Sequence, residues 1–227
     1  MTSVETSIGI LGGTGPAGKG FAVRLAKAGY DTVIGSRLAE RGQEISQGLR
    51  EHWSSHGIQL ACLSGGDNAL ASTCDVVVVA TPWEGAEETA ASLSHNLTGK
   101  VVISMCNALM RVNGEFQPLI LPRGSIGESI QAVLPESKVA AALHHVPAKE
   151  LGELGEAVEC DVLICSDSQE AADTTSELIG QVPGLRGLQV GGMSCAGPVE
   201  AFTAVLLQLN VRNKTRVGLR FTGLGNV

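Results

Sequence analysis

The chain has 227 residues, 44% of them hydrophobic, enough for one full α/β unit and a smaller second one and too apolar for a disordered chain. Charged residues make up 17% and aromatics 3%, and the formal net charge is -7, a balance that opposes nonspecific binding to nucleic acid or anionic lipid. No apolar run reaches the ~18 residues of a membrane span, and the N-terminus lacks the basic start and apolar core of a signal peptide, so a cytoplasmic protein is expected.

Short β-branched runs alternate with amphipathic stretches through the first half, the pattern of a parallel sheet with crossover helices. Strands are predicted over 7–11, 32–35, 59–63, 75–80, 101–104 and 138–142, with helices over 15–28, 38–56, 68–72, 84–94 and 125–134. In the first helix Phe21, Leu25 and Ala28 recur at helical spacing, and Gly29 stops it. The segment 105–124 contains Pro and Gly and reads as a long connection, either an active-site loop or a surface excursion. Beyond it, strands at 161–165 and 188–190 and helices at 169–179 and 198–210 predict a small α+β unit. The expected division is 1–143, a Rossmann-type dinucleotide-binding domain, and 144–227.

The turn Gly13-Thr14-Gly15-Pro16-Ala17-Gly18 lies between a predicted strand and a predicted helix, the context that gives a G-x-G-x-x-G weight. On this reading Gly13 permits the sharp turn, Gly15 lets the backbone approach a pyrophosphate, and Gly18 packs the helix on the sheet, while free N–H groups and the helix dipole meet the phosphates. Pro16 has no N–H, which costs little in a first helical turn. The second strand ends Gly35-Ser36-Arg37 rather than in the Asp or Glu that holds a ribose 2′-hydroxyl. A hydroxyl and a guanidinium can donate to a 2′-phosphate, and Arg41 follows one helical turn later. NADP is therefore expected over NAD. The plainer alternative makes Arg37 and Arg41 solvated helix-start residues.

In an open parallel sheet the ligand crosses the carboxyl ends of the strands. The expected reactive half is then formed by Thr81-Pro82-Trp83-Glu84, Met105-Cys106-Asn107 and His144-His145-Val146-Pro147-Ala148. Trp83 can wall a dinucleotide or pack between units; Glu87 can face the cofactor or simply favour a helix N-terminus. His144 is read as a positioning group, with a structural histidine as the alternative. The six cysteines read as reduced, mostly buried thiols, a redox pair at Cys160 and Cys165 being the lesser reading. No metal site is expected, because no third ligand completes His52 and His56.

These residues resemble a known family, the NADPH-dependent coenzyme F-420 reductases. The similarity covers essentially the whole chain and rests on Leu11-Gly12-Gly13-Thr14-Gly15, Gly18-Lys19-Gly20, Gly35-Ser36-Arg37, Thr81-Pro82-Trp83-Glu84 and Leu134-Pro135-Glu136-Ser137-Lys138-Val139. Ala142-Leu143-His144 with Val146-Pro147-Ala148, and Val199-Glu200 with Gly218-Leu219-Arg220-Phe221, complete it. The resemblance implies reversible hydride transfer between NADP(H) and the 8-hydroxy-5-deazaflavin ring of coenzyme F-420, in a homodimer. It carries NADP contacts onto Thr14, Gly15, Pro16, Ala17, Ser36, Arg37 and Trp83, with Ala148 near the nicotinamide. The deazaflavin would lie near His144, Val146 and Pro147, walled by Leu206 and Leu207. The segments 105–122 and 210–215 depart from the family pattern. Other readings are an NADPH-dependent reductase of a flavin, a ferric ion or a small carbonyl or imine, and a non-enzymatic NADPH sensor.

Overall fold

The computed structural model describes residues 4–224. Ten strands are formed: β1 (Val4–Leu11), β2 (Tyr30–Ser36), β3 (Leu63–Asp67), β4 (Val76–Val79), β5 (Val101–Ser104), β6 (Leu109–Val112), β7 (Glu115–Pro118), β8 (Lys138–Ala141), β9 (Cys160–Ser166) and β10 (Leu185–Gly191). The helices are α1 (Pro16–Ala28), α2 (Ala39–Ser55), α3 (Asn68–Ala71), α4 (Ala86–Ser92), α5 (Ser94–Leu97), α6 (Ile126–Val133), α7 (Ala148–Leu151), α8 (Gln169–Gly180) and α9 (Ala196–Asn213). No helix among the described residues is long and apolar enough to cross a membrane.

Eight strands make one sheet in the order β10-β9-β8-β5-β4-β1-β2-β3. From β3 to β8 all neighbours are parallel, so the carboxyl ends of six strands share one edge. This is a Rossmann-type sheet, with its topological switch beside β1. Val76, Val77, Val78 and Val79 on β4 are all buried, as a central strand covered on both faces requires. Val76 and Val78 join the core under α1, α2 and α8, and Val77 and Val79 the core under α4, α6 and α9.

β9 reverses direction: Ala140 faces Ser166 and Ala141 faces Cys165 in antiparallel register, and β10 runs parallel to β9. The residues after 143 thus continue the same sheet, and the last residues of β9, Cys165 and Ser166, lie beside the carboxyl end of β8, so the amino end of β9 runs on past it. Arg24 of α1, buried, fastens the following segment by donating to the carbonyls of Leu151, Glu150, Glu153 and Glu156.

Two departures from the sequence reading have physical causes. The third strand lies at 63–67, not 59–63: Leu63-Ser64-Gly65-Gly66-Asp67 has little β propensity, and tertiary pairing with β2 decides its position. The connection 105–124 contains the hairpin β6–β7, closed by Asn113 (φ 50°) and Gly114 (φ 87°), the left-handed pair that a type I′ turn demands. The cysteines follow the leading sequence reading: Cys160 and Cys165 are reduced and buried in opposite cores of the sheet, which excludes the lesser reading of a redox pair.

Candidate functional site

β1 ends at Leu11 and the chain turns at Gly12, whose φ of 64° belongs to the left-handed region. A Cβ there would stand 2.5 Å from Thr81 Cγ2. Gly12 therefore makes the sharp turn expected of Gly13. The Gly13 N–H points inward, to the carbonyls of Ile10 (3.1 Å) and Gly35 (2.9 Å), and does not face the cleft. Gly15, extended at φ -73°, precedes Pro16 at the start of α1, and a Cβ built on it meets nothing within 4 Å. Gly18 lies against the turn and the end of β4, its would-be Cβ 2.8 Å from Gly13 Cα and 3.2 Å from Ala80 Cβ.

A cavity of about 770 Å³ opens over this turn. Thr14, Gly15, Pro16, Ala17 and Gly18 line one side. Ser36, Arg37 and Arg41 line the far end, and Thr81 and Pro82 the floor toward β4. Arg37 is exposed and makes no side-chain hydrogen bond among the described residues, whereas Arg41 pairs with Glu44 at 2.7 Å. Glu87 is exposed and lies outside the cavity; Gly85 and Thr89 take that wall. Asn68, which the sequence reading passed over, lines the cavity and accepts the Gly12 N–H at Oδ1 (3.0 Å). Asp67 caps the one-turn helix that carries it, accepting the Leu70 N–H at 2.7 Å.

Pro16, Ala17, Ala80, Thr81 and Pro82 are shared with a second cavity of about 980 Å³, so one cleft crosses the carboxyl ends of the strands. Trp83 lines this second half rather than the cavity over the glycine turn, and packs on the core beneath it. His144, Val146, Pro147 and Ala148 form another wall, Leu206 and Leu207 of α9 a third, and Leu109, Met110, Arg111 and Phe116 of the β6–β7 hairpin a fourth.

The His144 segment is tightly specified. Leu143, buried, holds φ 67°, strained for a branched residue, and its carbonyl accepts the Val146 N–H at 3.2 Å. The His144 carbonyl accepts from Asn107 Nδ2 (2.8 Å) and Thr203 Oγ1 (3.5 Å), joining the β5 loop to α9. On the ring, Nδ1 lies 3.1 Å from the Ala142 carbonyl, which can only accept, so Nδ1 carries the proton. Burial, then the neighbouring His145, push the imidazole down to about 3. It is a neutral ring whose Nε2 is a bare acceptor. His145 is likewise neutral through burial and donates from Nε2 to the Asp161 carbonyl at 2.8 Å.

His144 Nε2 and Thr81 Oγ1 are buried and have no hydrogen-bond partner among the described residues. Both residues line the cleft, where a polar ring substituent would remove the cost of leaving them unpaired. With the open space at Gly15 and the Ser36-Arg37 end, the residues present fit a dinucleotide. Two other buried groups are held away from their ordinary titration by burial, which raises the Glu200 carboxyl to about 7. Burial pushes the Cys106 thiol up to about 12, and Glu200 lies outside the cleft, accepting the N–H groups of Ile126 (2.9 Å) and Gly127 (3.0 Å) at the start of α6. Among the described residues α9 thus presents no carboxylate to the cleft.

A Rossmann-type sheet with a glycine turn, a Ser-Arg end and a second, uncharged-centred half to its cleft is that of a nucleotide-dependent oxidoreductase. The family model described as NADP oxidoreductase, coenzyme F420-dependent, matches residues 7–108. The F420-dependent NADP reductase of Methanocaldococcus jannaschii is 35% identical over 220 residues, covering 96% of this chain and 98% of that protein. That of Methanothermobacter thermautotrophicus is 33% identical over 222 residues, covering 96% and 95%. The chain belongs to the F420-dependent NADP reductase family. A crystal structure of a putative F420-dependent NADP reductase from Arthrobacter sp. FB24 has the same fold, with a TM-score of 0.76 over 95% of this chain and 100% of that one at 24% identity.

Proposed function

We propose that the chain transfers hydride reversibly between NADP(H) and the deazaflavin of coenzyme F-420, with the first cavity holding NADP and the second the deazaflavin. The observation that carries this is the continuity of the two cavities through Pro16, Ala17, Ala80, Thr81 and Pro82, which lets two ring systems meet at the carboxyl end of β4.

When bound, the nicotinamide and the deazaflavin supply the hydride donor and acceptor; the chain contributes orientation and electrostatics. Backbone N–H groups at the start of α1 receive the pyrophosphate, and Ser36, Arg37 and Arg41 receive the 2′-phosphate. Thr81 Oγ1 and the bare Nε2 of His144 offer hydrogen bonds to ring substituents, and His144 takes no proton at neutral pH. The apolar walls, Trp83, Val146, Pro147, Leu206 and Leu207, exclude water from the transfer path. On this reading residues 1–143 are the NADP-binding part and 144–227 complete the deazaflavin site.

A cytoplasmic homodimer without nucleic-acid partners fits the composition and the family resemblance. Phe202, Val205 and Leu209 expose an apolar stripe on α9 that suits a second copy. Sedimentation at micromolar concentration tests this, a monomer refuting it. The test of function is to mix the protein with NADPH and oxidised F-420, or with FMN, and follow both absorbances. Oxidation of NADPH by the deazaflavin is expected; reduction of FMN alone overturns the proposal.

A further inference from the structure

The charges in the cleft are not spread evenly. Arg37 and Arg41 stand at the outer end of the first cavity. At the second cavity the charged lining residues are Arg111, Lys149 and Arg216, and no Asp or Glu lines either cavity. In a chain with 23 acidic and 16 basic residues, this segregation makes the cleft a positive channel in a negative surface. Between the two charged ends the lining is apolar or neutral, His144 and His145 included.

Each of the three cations is mounted on a different element. Arg111 extends from β6 with its guanidinium 5.7 Å from the Phe116 ring centroid, and its Nε donates to the Gly114 carbonyl (3.4 Å). Lys149, exposed, stands on α7 immediately after Ala148. Arg216 belongs to the segment after α9 and touches Glu150 Oε1 at 3.3 Å with one Nη. That segment is fixed on both sides: the Val217 N–H donates to Asn210 Oδ1 (2.7 Å), and Arg220 and the Phe221 N–H both reach the buried Asp161 carboxylate. Arg216 is therefore carried on anchored backbone, and with Arg111 and Lys149 it lines the second cavity.

We infer that Arg111, Lys149 and Arg216 form a subsite for an anionic extension, phosphate or carboxylate, of the hydride acceptor. The two reactants then lie tail-outward in opposite directions, each anion held at its own end and the two rings meeting over the uncharged middle. This inference rests on the acceptor occupying the second cavity. The subsite selects acceptors by charge and leaves the transfer step itself untouched.

The test is equilibrium binding followed by the acceptor's own fluorescence, with two probes: oxidised coenzyme F-420 with its anionic side chain, and the neutral deazaflavin nucleoside without it. Wild type should bind the anionic probe at least tenfold more tightly, and raising the salt to about 0.5 M should remove most of that preference. Arg111→Gln, Lys149→Gln and Arg216→Gln should each weaken the anionic probe about threefold to tenfold and leave the neutral probe and NADPH within twofold. In turnover the loss should fall on KM for F-420 with kcat kept. Equal affinity of wild type for the two probes, or equal weakening of both by the substitutions, overturns the subsite. If wild type keeps the charge preference in binding yet oxidises no NADPH with either probe, the proposed reaction fails and the subsite stands.

Discussion

Asn68 Oδ1 accepts the N–H of Gly12 at 3.0 Å, so the one-turn helix after β3 holds the first glycine of the turn after β1 in its left-handed conformation. The same oxygen would lie 2.8 Å from a Cβ at Gly35, which ties the glycine-turn end of the cleft to the Ser36-Arg37 end. Asn68→Ala should therefore weaken NADPH binding about tenfold, through a mobile turn and an unpaired N–H, with loss of stability near 1–2 kcal/mol. Titration calorimetry and urea melts check both. Undiminished affinity would show that the turn holds itself.

Three glycines of the turn should respond differently to alanine. At Gly12 the positive φ and the 2.5 Å approach to Thr81 make a Cβ costly for folding itself, and a fall in melting temperature is expected. At Gly18 the neighbours are Gly13 Cα and Ala80 Cβ, so the helix must move off the sheet. Gly15→Ala meets open space, so the fold should keep its melting temperature while the methyl occupies the approach path of the pyrophosphate. A Gly15→Ala protein that binds NADPH like wild type would contradict the placement.

Arg37→Ala should lower NADPH affinity by about tenfold to a hundredfold, the worth of one charge-assisted donor of roughly 1.5–3 kcal/mol, and leave NADH affinity nearly unchanged. The measurement is the ratio of the two dissociation constants. Arg41→Ala should cost less, because its guanidinium is shared with Glu44.

His144 gives the stability a defined pH dependence. Its ordinary value near 6.5 is lowered to about 3 in the folded chain, so between those values the unfolded state binds more protons. The contribution is fully present above pH 6.5 and declines as the pH falls toward 3, by on the order of 2 kcal/mol between pH 6.5 and 4.5. His145 and the carboxylate of Asp161, held low first by its Arg186 hydrogen bonds, act in the same direction. His144→Gln should flatten the profile of urea midpoints over this range. An unchanged slope would mean that the imidazole is solvated.

Glu200→Ala should leave the Ile126 and Gly127 N–H groups unpaired and cost about 2–4 kcal/mol, lowering the melting temperature by roughly 5–15 °C. Because Glu200 stands outside the cleft, the folded variant at 20 °C should keep wild-type kcat. A large fall in kcat with the fold intact would instead assign Glu200 a part in the reaction.

Much of this site was legible because its signals are local. The strand-turn-helix context of residues 7–28 and the Ser36-Arg37 pair depend on neighbours in sequence, and the structure sets both along one cleft. The Asn113-Gly114 turn was equally local and went unread, hidden by the Pro and Gly around it. Asn68 was missed because β3 lies four residues later than its hydrophobic pattern suggests, in a Gly-rich strand fixed by pairing with β2. The exchange of roles between Gly12 and Gly13 depends on Thr81, a contact 69 residues away that no local pattern encodes. Of the two readings open for Glu87, its place in the first turn of α4 and outside the cavity fits the one in which it favours the helix N-terminus.

The reversed strand β9 bears on the order of events in turnover. Since the sheet passes without interruption from β8 into β9 and β10, and Arg24 clamps residues 150–156 onto α1, the two halves of the cleft share one rigid frame. Among the described residues such a frame offers no hinge between the two halves to close on the first reactant before admitting the second. Either coenzyme can then enter from its own end, and the kinetics should be those of random addition, with departure of product rather than domain motion limiting the rate.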